Sequence, residues 1–161
     1  MSEKNFSIRE FKPSDLGAVT SLIRNTIDVC YSNAYPKEAI KFFKDYHCDE
    51  NILEGAKEGY TIILEQDDQI IGTGTIVDDH VMRVFVEPAL QKRGLGKLIM
   101  QKLEEKALSS AISIVKLDAS LPSKKFYDSL GYVALEETFL EVENGKKLDY
   151  YKMEKSLIGT A

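Results

Sequence analysis

Cys30 and Cys48 are the chain's only cysteines, too few to build a disulfide framework. Both fall in apolar helical patterns, where a buried thiol is the expected state. No apolar run approaches the roughly 18 residues that a membrane-spanning helix needs, so no membrane partner is expected. The opening MSEKNFSIRE lacks the long apolar core of a secretory signal, which makes a cytoplasmic location the expectation. Basic excess is missing as well: 21 Lys and Arg stand against 26 Asp and Glu, a net charge of −5. Such a chain is poorly suited to neutralising a phosphate backbone, so no nucleic-acid partner is expected. Its charge is compatible with a cationic small molecule. Histidine is scarce too, and with only His47 and His80 the run His47-Cys48-Asp49 is not expected to hold a metal.

What is present fits one globular domain over residues 1–161, with 43% apolar and 29% charged residues. At that size folding can bury roughly two-thirds of the surface without a metal or a disulfide. The chain has no internal repeat, low-complexity tract or linker-like stretch. Ser7 to Phe11 reads as a strand, and Pro13-Ser14-Asp15 offers a helix start. Leu16, Val19, Leu22, Ile23 and Ile27 follow at helical spacing. Pro36 opens a second helix with Ile40, Phe42 and Phe43 as its buried members. Three strands follow, Tyr60 to Glu65, Gln69 to Val77 and His80 to Val86, separated by the turns Asp67-Asp68 and Asp78-Asp79. A helix from about Gly94 to Ser109 has Leu95, Leu98, Ile99, Leu103 and Ala107 on its apolar face. Ile112 to Asp118 is a strand rich in β-branched residues, and Ser123 to Leu130 is a helix closed by Gly131. Asn144-Gly145 joins the last two strands, Val133 to Val142 and Lys147 to Met153. The order β-α-α-β-β-β-α-β-α-β-β predicts an α/β (α+β) fold with a mixed, mostly antiparallel sheet and helices on both faces.

Residues 84 to 98 carry the chemistry: Val-Phe-Val-Glu-Pro-Ala-Leu-Gln-Lys-Arg-Gly-Leu-Gly-Lys-Leu. A strand runs into a loop bearing Gly94 and Gly96, where a helix starts. The first N–H groups of a helix have no internal partners, and its dipole places partial positive charge there. Glycine lets an anion approach the backbone, and Lys92, Arg93 and Lys97 add charge suited to a diphosphate. A nucleoside-triphosphate P-loop is excluded, because Leu98 follows Gly96-Lys97 and no glycine lies five residues before Gly96. A dinucleotide motif fails at Ile99, where its third glycine would stand.

The run Gln91-x-x-Gly94-x-Gly96 after Val84-Phe85-Val86-Glu87-Pro88 resembles the signature of the GNAT superfamily of N-acetyltransferases, and the element order resembles that family over nearly the whole chain. The resemblance implies a sheet splayed between its fourth and fifth strands and acetyl-CoA as the acetyl donor, with no metal. It implies that Gln91, Lys92, Arg93, Gly94, Leu95, Gly96 and Lys97 form the diphosphate loop, whose backbone N–H groups from Lys92 to Lys97 are the donors. Val84, Phe85 and Val86 would pair with the pantetheine arm and hold the acetyl carbonyl, in the manner of an added strand. A second stretch, Ser120 to Tyr132, resembles the family's later motif, with Ser120 and Ser123 standing where Asn and Ala are frequent. Both residues are therefore candidates at the cofactor. In that motif Tyr127 is the matching tyrosine. A phenol keeps its proton at pH 7, so Tyr127 could protonate the departing thiolate of CoA; packing in its helix is the other reading.

The acceptor implied by the family is a primary amine of a small molecule or peptide, which must lose a proton before it attacks. His80 and Glu87 are the candidate bases, with Asp78 and Asp79 flanking the same strand. Tyr31 and Tyr35 fall where such enzymes wall the acceptor, and either could instead be a core or surface aromatic. Arg83 leaves two readings open, contact with a carboxylate on the acceptor or a solvated side chain. Direct attack is expected rather than an acetyl-cysteine, since neither cysteine is near a motif. A CoA-binding regulatory or interaction module without catalysis is the alternative, and a homodimer is compatible with the resemblance.

Overall fold

A computed structural model describes residues 6–158. The expected strands join into one seven-stranded sheet: β1 (Phe6–Glu10), β2 (Tyr60–Gln66), β3 (Gln69–Val77), β4 (His80–Val86), β5 (Ile114–Ser120), β6 (Val133–Glu141) and β7 (Lys147–Ser156). Their spatial order is β1-β2-β3-β4-β5-β7-β6, antiparallel throughout except for the parallel pair β4–β5. The helices are α1 (Leu16–Tyr31), α2 (Lys37–Tyr46), α3 (Asp49–Glu58), α4 (Leu95–Ser109) and α5 (Lys124–Ser129). Three helices, not two, therefore lie between β1 and β2. The third is α3, whose sequence DENILEGAKE buries only Ile52 and Gly55 and so carries almost no apolar stripe to read.

Alternation along β2 sorts the core into two layers. Ile62 and Leu64 pack with Ile99, Met100 and Leu103 of α4, while Ile63 packs with Ile23, Ile27 and Ile52 of α1 and α3. Glycines on β3 let α4 sit close to the sheet: a Cβ on Gly74 would stand 2.6 Å from Ile99 Cγ2. The three tight turns of the sheet follow from local chemistry. Asp67 and Asp68 both have positive φ, 51° and 65°, as the central pair of a type I′ hairpin turn requires. Asn144 and Gly145 repeat that geometry at 59° and 68°, with the Lys146 N–H donating to the Glu143 carbonyl at 3.2 Å. Asp78 turns the third hairpin at φ 53°.

Several burial expectations change. Ile40, Phe42 and Phe43 are half-buried rather than core, because the rings of Phe42 and Phe43 face a cavity. Cys30 and Cys48 are half-buried as well, and Cys48 sits just ahead of α3 rather than inside a helix.

Two features of β4 prepare the site. It pairs with β5 only at His80–Lys116 and Val81–Leu117, so the backbone from Met82 to Val86 has no partner on that side. The splay lies where the GNAT resemblance implies it. Secondly, Thr73 pairs with Phe85 and Thr75 with Met82, so Arg83 and Val84 together oppose Gly74. This is a β-bulge, and Arg83 adopts φ 56° within it.

Candidate active site

Beyond β4 the chain makes a short turn at Pro88–Leu90 and enters α4 through a loop in which Lys92 has φ 65° and Gly94 has φ 85°. Intrahelical bonding starts with the Leu98 N–H donating to the Gly94 carbonyl at 3.1 Å. The N–H groups of Leu95, Gly96 and Lys97 therefore have no partner within the helix. Gly96 stands against α5: a Cβ there would lie 2.9 Å from Cζ of Phe126. Gln91 fixes the loop to the strand, its Nε2 donating to the Val86 carbonyl at 2.9 Å. Its amide oxygen lies 3.8 Å from Cys30 Sγ, so folding brings one cysteine to the loop, contrary to expectation.

A cleft of about 470 Å³ runs along this corner, lined by Val84, Val86, Gln91, Lys92, Gly94, Gly96 and Lys97 on one side and by Ser123, Phe126 and Tyr127 on the other. It combines a helix N-terminus, three lysines (Lys92, Lys97 and Lys125) and an open strand edge, a combination that suits a diphosphate joined to an amide-bearing chain. Leu95 faces the core instead of the cleft, and Arg93 is exposed at the loop's surface.

A second cavity of about 310 Å³ lies across the open edge of β4. Its walls are aromatic (Tyr31, Phe42, Phe43, Tyr46, Phe85 and Tyr150), with His47, His80, Arg83, Asp118 and Ser120 as its polar members. Val84, Ser123 and Tyr127 line both spaces, so the two meet there. Ser120 lies on this second side only, its hydroxyl 2.8 Å from that of Ser123.

The titratable groups of the two cavities differ in environment. Burial pushes the Tyr127 phenol well above its ordinary range, and the neighbouring Tyr31 adds to the shift. Tyr31 is raised by burial too, against the opposing hydroxyls of Ser120 and Ser123. The His47 imidazole is pushed down to about 3 by burial and by the charge of Arg83. His47 stands edge-on to Phe85, with ring centroids 5.3 Å apart. His80 is half-exposed, and its Nε2 lies 3.8 Å from Oδ2 of Asp118.

Of the proposed bases, His80 borders the aromatic cavity, whereas Glu87 lines a separate cleft with Arg9, Asp15 and Glu65. Tyr31 faces the cavity. Tyr35 is core: its hydroxyl donates to the Asp149 carbonyl at 2.7 Å and accepts from the Leu121 N–H at 2.8 Å. Tyr46, Tyr150 and Asp118 were missed as wall residues, and His47 was weighed only as a metal ligand. The run Phe42-Phe43-x-x-Tyr46-His47, at i, i+1, i+4 and i+5, marks one aromatic helix face and was the available signal. Among the described residues no group of three or more His, Cys, Asp or Glu is placed to hold a metal, and no helix is long and apolar enough to cross a membrane.

Comparison with known proteins agrees with this geometry. The family model described as the acetyltransferase (GNAT) domain matches residues 31–157. A GCN5-related N-acetyltransferase from Rhodopseudomonas palustris superposes with a TM-score of 0.87 at 22% identity, over 98% of this chain and 99% of that one. The PaiA N-acetyltransferase from Thermoplasma acidophilum, solved in complex with coenzyme A, gives 0.75 at 17% identity, over 94% and 99%. The ribosomal-protein-S18-alanine N-acetyltransferase from Escherichia coli gives 0.71 at 15% identity, over 98% and 97%. At these identities the structural likenesses speak for the fold, and the family match covers most of the chain. The protein belongs to the GNAT acetyltransferase family. It is an acyltransferase, and its chemistry is acetyl transfer.

Proposed function

We propose that this protein is a single-domain, cytoplasmic N-acetyltransferase that moves the acetyl group of acetyl-CoA to a primary amine of a small molecule or peptide by direct attack. The observation that carries this reading is the junction of a phosphate-suited cleft with an aromatic cavity at Val84, Ser123 and Tyr127. The N–H groups from Lys92 to Lys97 hold the diphosphate, with Lys92 and Lys97 supplying charge. The unpaired edge of Val84 to Val86 holds the pantetheine amides and polarises the acetyl carbonyl.

The amine enters from the aromatic side. His80, with the Asp118 carboxylate 3.8 Å away, takes the proton that the amine must lose. The new C–N bond forms as the C–S bond breaks, and the sulfur departs as a thiolate. Tyr127 keeps its proton because burial disfavours the phenolate. It donates a hydrogen bond to the departing sulfur and passes it that proton only as another proton reaches the phenol oxygen from solvent, so that no buried phenolate is left behind. Nothing in the chemistry requires a metal or an acetyl-cysteine.

Thiol release from acetyl-CoA, followed across a panel of amines, tests the reading. Tyr127→Phe should lower turnover about a hundredfold while leaving acetyl-CoA binding within a few-fold. An unchanged rate would reject the acid role. Binding of acetyl-CoA without thiol release for any amine would support a non-catalytic CoA-binding module instead. Release from a longer acyl-CoA in preference to acetyl-CoA would correct the donor.

A further inference from the structure

Among the described residues two buried side-chain polar atoms lack any hydrogen-bond partner, His47 Nδ1 and Arg83 Nε. Both residues are more than nine-tenths buried, and both line the aromatic cavity. Arg83 owes its place to the bulge in β4, which turns it in toward α2 and α3. A Cβ on Gly55 of α3 would stand 3.1 Å from Arg83 Nη1, so a glycine inside that helix leaves room for the guanidinium. The head lies 5.5 Å from the centre of the Tyr46 ring, and its recorded hydrogen bond goes from Nη1 to Met82 Sδ at 3.0 Å. Thioether sulfur is a weak acceptor. No carboxylate among the described residues offsets the charge; Tyr46 and Cys48 are its opposing neighbours.

A buried guanidinium without an anion is costly, and structures keep such groups paired. A positive φ at a residue other than glycine adds strain that functional sites hold for a purpose. We infer that the acceptor amine also carries a carboxylate, which docks on Arg83, and that its remaining part is an apolar or aromatic side chain seated among the cavity's rings. Arginine presents paired N–H donors that match a carboxylate. A cavity of about 310 Å³ lies at the small end of ligand sites and suits a free amino acid. The amine of such a zwitterion is kept from Arg83 by like charge and falls toward His80 and Asp118. This inference names the acceptor for the transfer proposed above and rests on that reading.

The test compares phenylalanine and leucine with phenethylamine and isoamylamine, the same skeletons without the carboxylate. Two readouts are used: thiol release from acetyl-CoA, and calorimetric binding to the protein with and without CoA. The wild type should favour each amino acid over its decarboxylated counterpart at least tenfold in kcat/KM and in affinity. Arg83→Gln should shrink that ratio to near one, with Arg83→Lys in between. Equal affinity for both members of each pair, measured on the wild type, overturns the inference even if a variant fails to fold. A tenfold preference for the matching aminophosphonate also overturns it, since the anion would then be a phosphate-like group. Failure of acetyl-CoA to bind, with amino-acid preference intact, would strike the transfer reading and leave the Arg83 site standing.

Discussion

Gly96 and Phe126 touch where α4 meets α5, at a distance that leaves no room for a larger side chain: a Cβ on Gly96 would lie 2.9 Å from the ring's Cζ. Phe126 is half-buried and lines the cleft beside Gly94 and Gly96, so its ring would yield by moving into that space. Gly96→Val should therefore fold, with a modest fall in melting temperature, yet bind CoA at least tenfold more weakly. Gly96→Ala should lose much less, because a single methyl displaces the ring tip slightly. Calorimetric titration with CoA checks both. Equal affinity of the valine variant and the wild type would show that the cleft is not the cofactor's.

His80 borders the aromatic cavity with Asp118 at 3.8 Å. As the base it should be replaceable only at a cost in turnover, of about a hundredfold in kcat for His80→Gln. Asp118→Asn should lose less, since the carboxylate stands 3.8 Å from the ring and takes no proton itself. Glu87→Gln should be silent in the same assay, because Glu87 lines another cleft. Thiol release at saturating acetyl-CoA decides among the three.

The order of strands and the glycine-bearing helix start were legible because their signals are local. The Asn144-Gly145 turn, the Asp67-Asp68 turn and the Gly94–Gly96 helix start each act within a few residues of sequence. The aromatic cavity was not legible, since its walls come from segments remote in sequence: His47 meets Phe85, and Tyr31 meets Phe43. The bulge at Arg83 left no trace either. It puts a non-glycine residue at positive φ and reverses the side-chain parity of β4 between Val81 and Phe85, as their membership of opposite core layers shows. Simple alternation could not have placed Arg83. Helix α3 escaped for the opposite reason, its single buried large side chain, Ile52.

Arg9, Asp15 and Glu65 tie β1, the start of α1 and β2 together. Asp15 accepts two bonds from the Arg9 guanidinium, both 2.8 Å, and one from the Lys12 N–H, also 2.8 Å. Its carboxyl is held below the usual range, chiefly by the Arg9 hydrogen bond. Arg9 keeps 28% side-chain exposure, so solvent screens part of the pair. Asp15→Ala should cost about 1 kcal/mol, mainly through the lost cap, since Arg9 keeps its bonds to Glu65. Urea unfolding at neutral pH measures it, and a cost below about 0.5 kcal/mol would mean the clamp is ornamental to stability.

His47 gives stability a pH dependence that is separable from that of the carboxylates. The folded protein holds its imidazole neutral, with burial and the Arg83 charge driving its pKa down to about 3, whereas the unfolded chain takes up the proton near 6.5. Below that value the unfolded state binds more protons, so acid favours unfolding. The contribution is complete above about pH 6.5 and should drain away at roughly 1.4 kcal/mol per pH unit on the way down. Asp15 acts only lower, since its stabilising effect is complete above about 4 and is lost as pH falls further. Glu38, held low chiefly by its hydrogen bond from Asn144, likewise loses its contribution only below about 5, so the window from 6.5 to 5 isolates the histidine. His47→Phe keeps an aromatic ring against Phe85 and removes the proton site, so its unfolding free energy should be nearly flat across that window. If the two proteins lose stability in parallel between pH 6.5 and 5, His47 does not sit neutral beside Arg83.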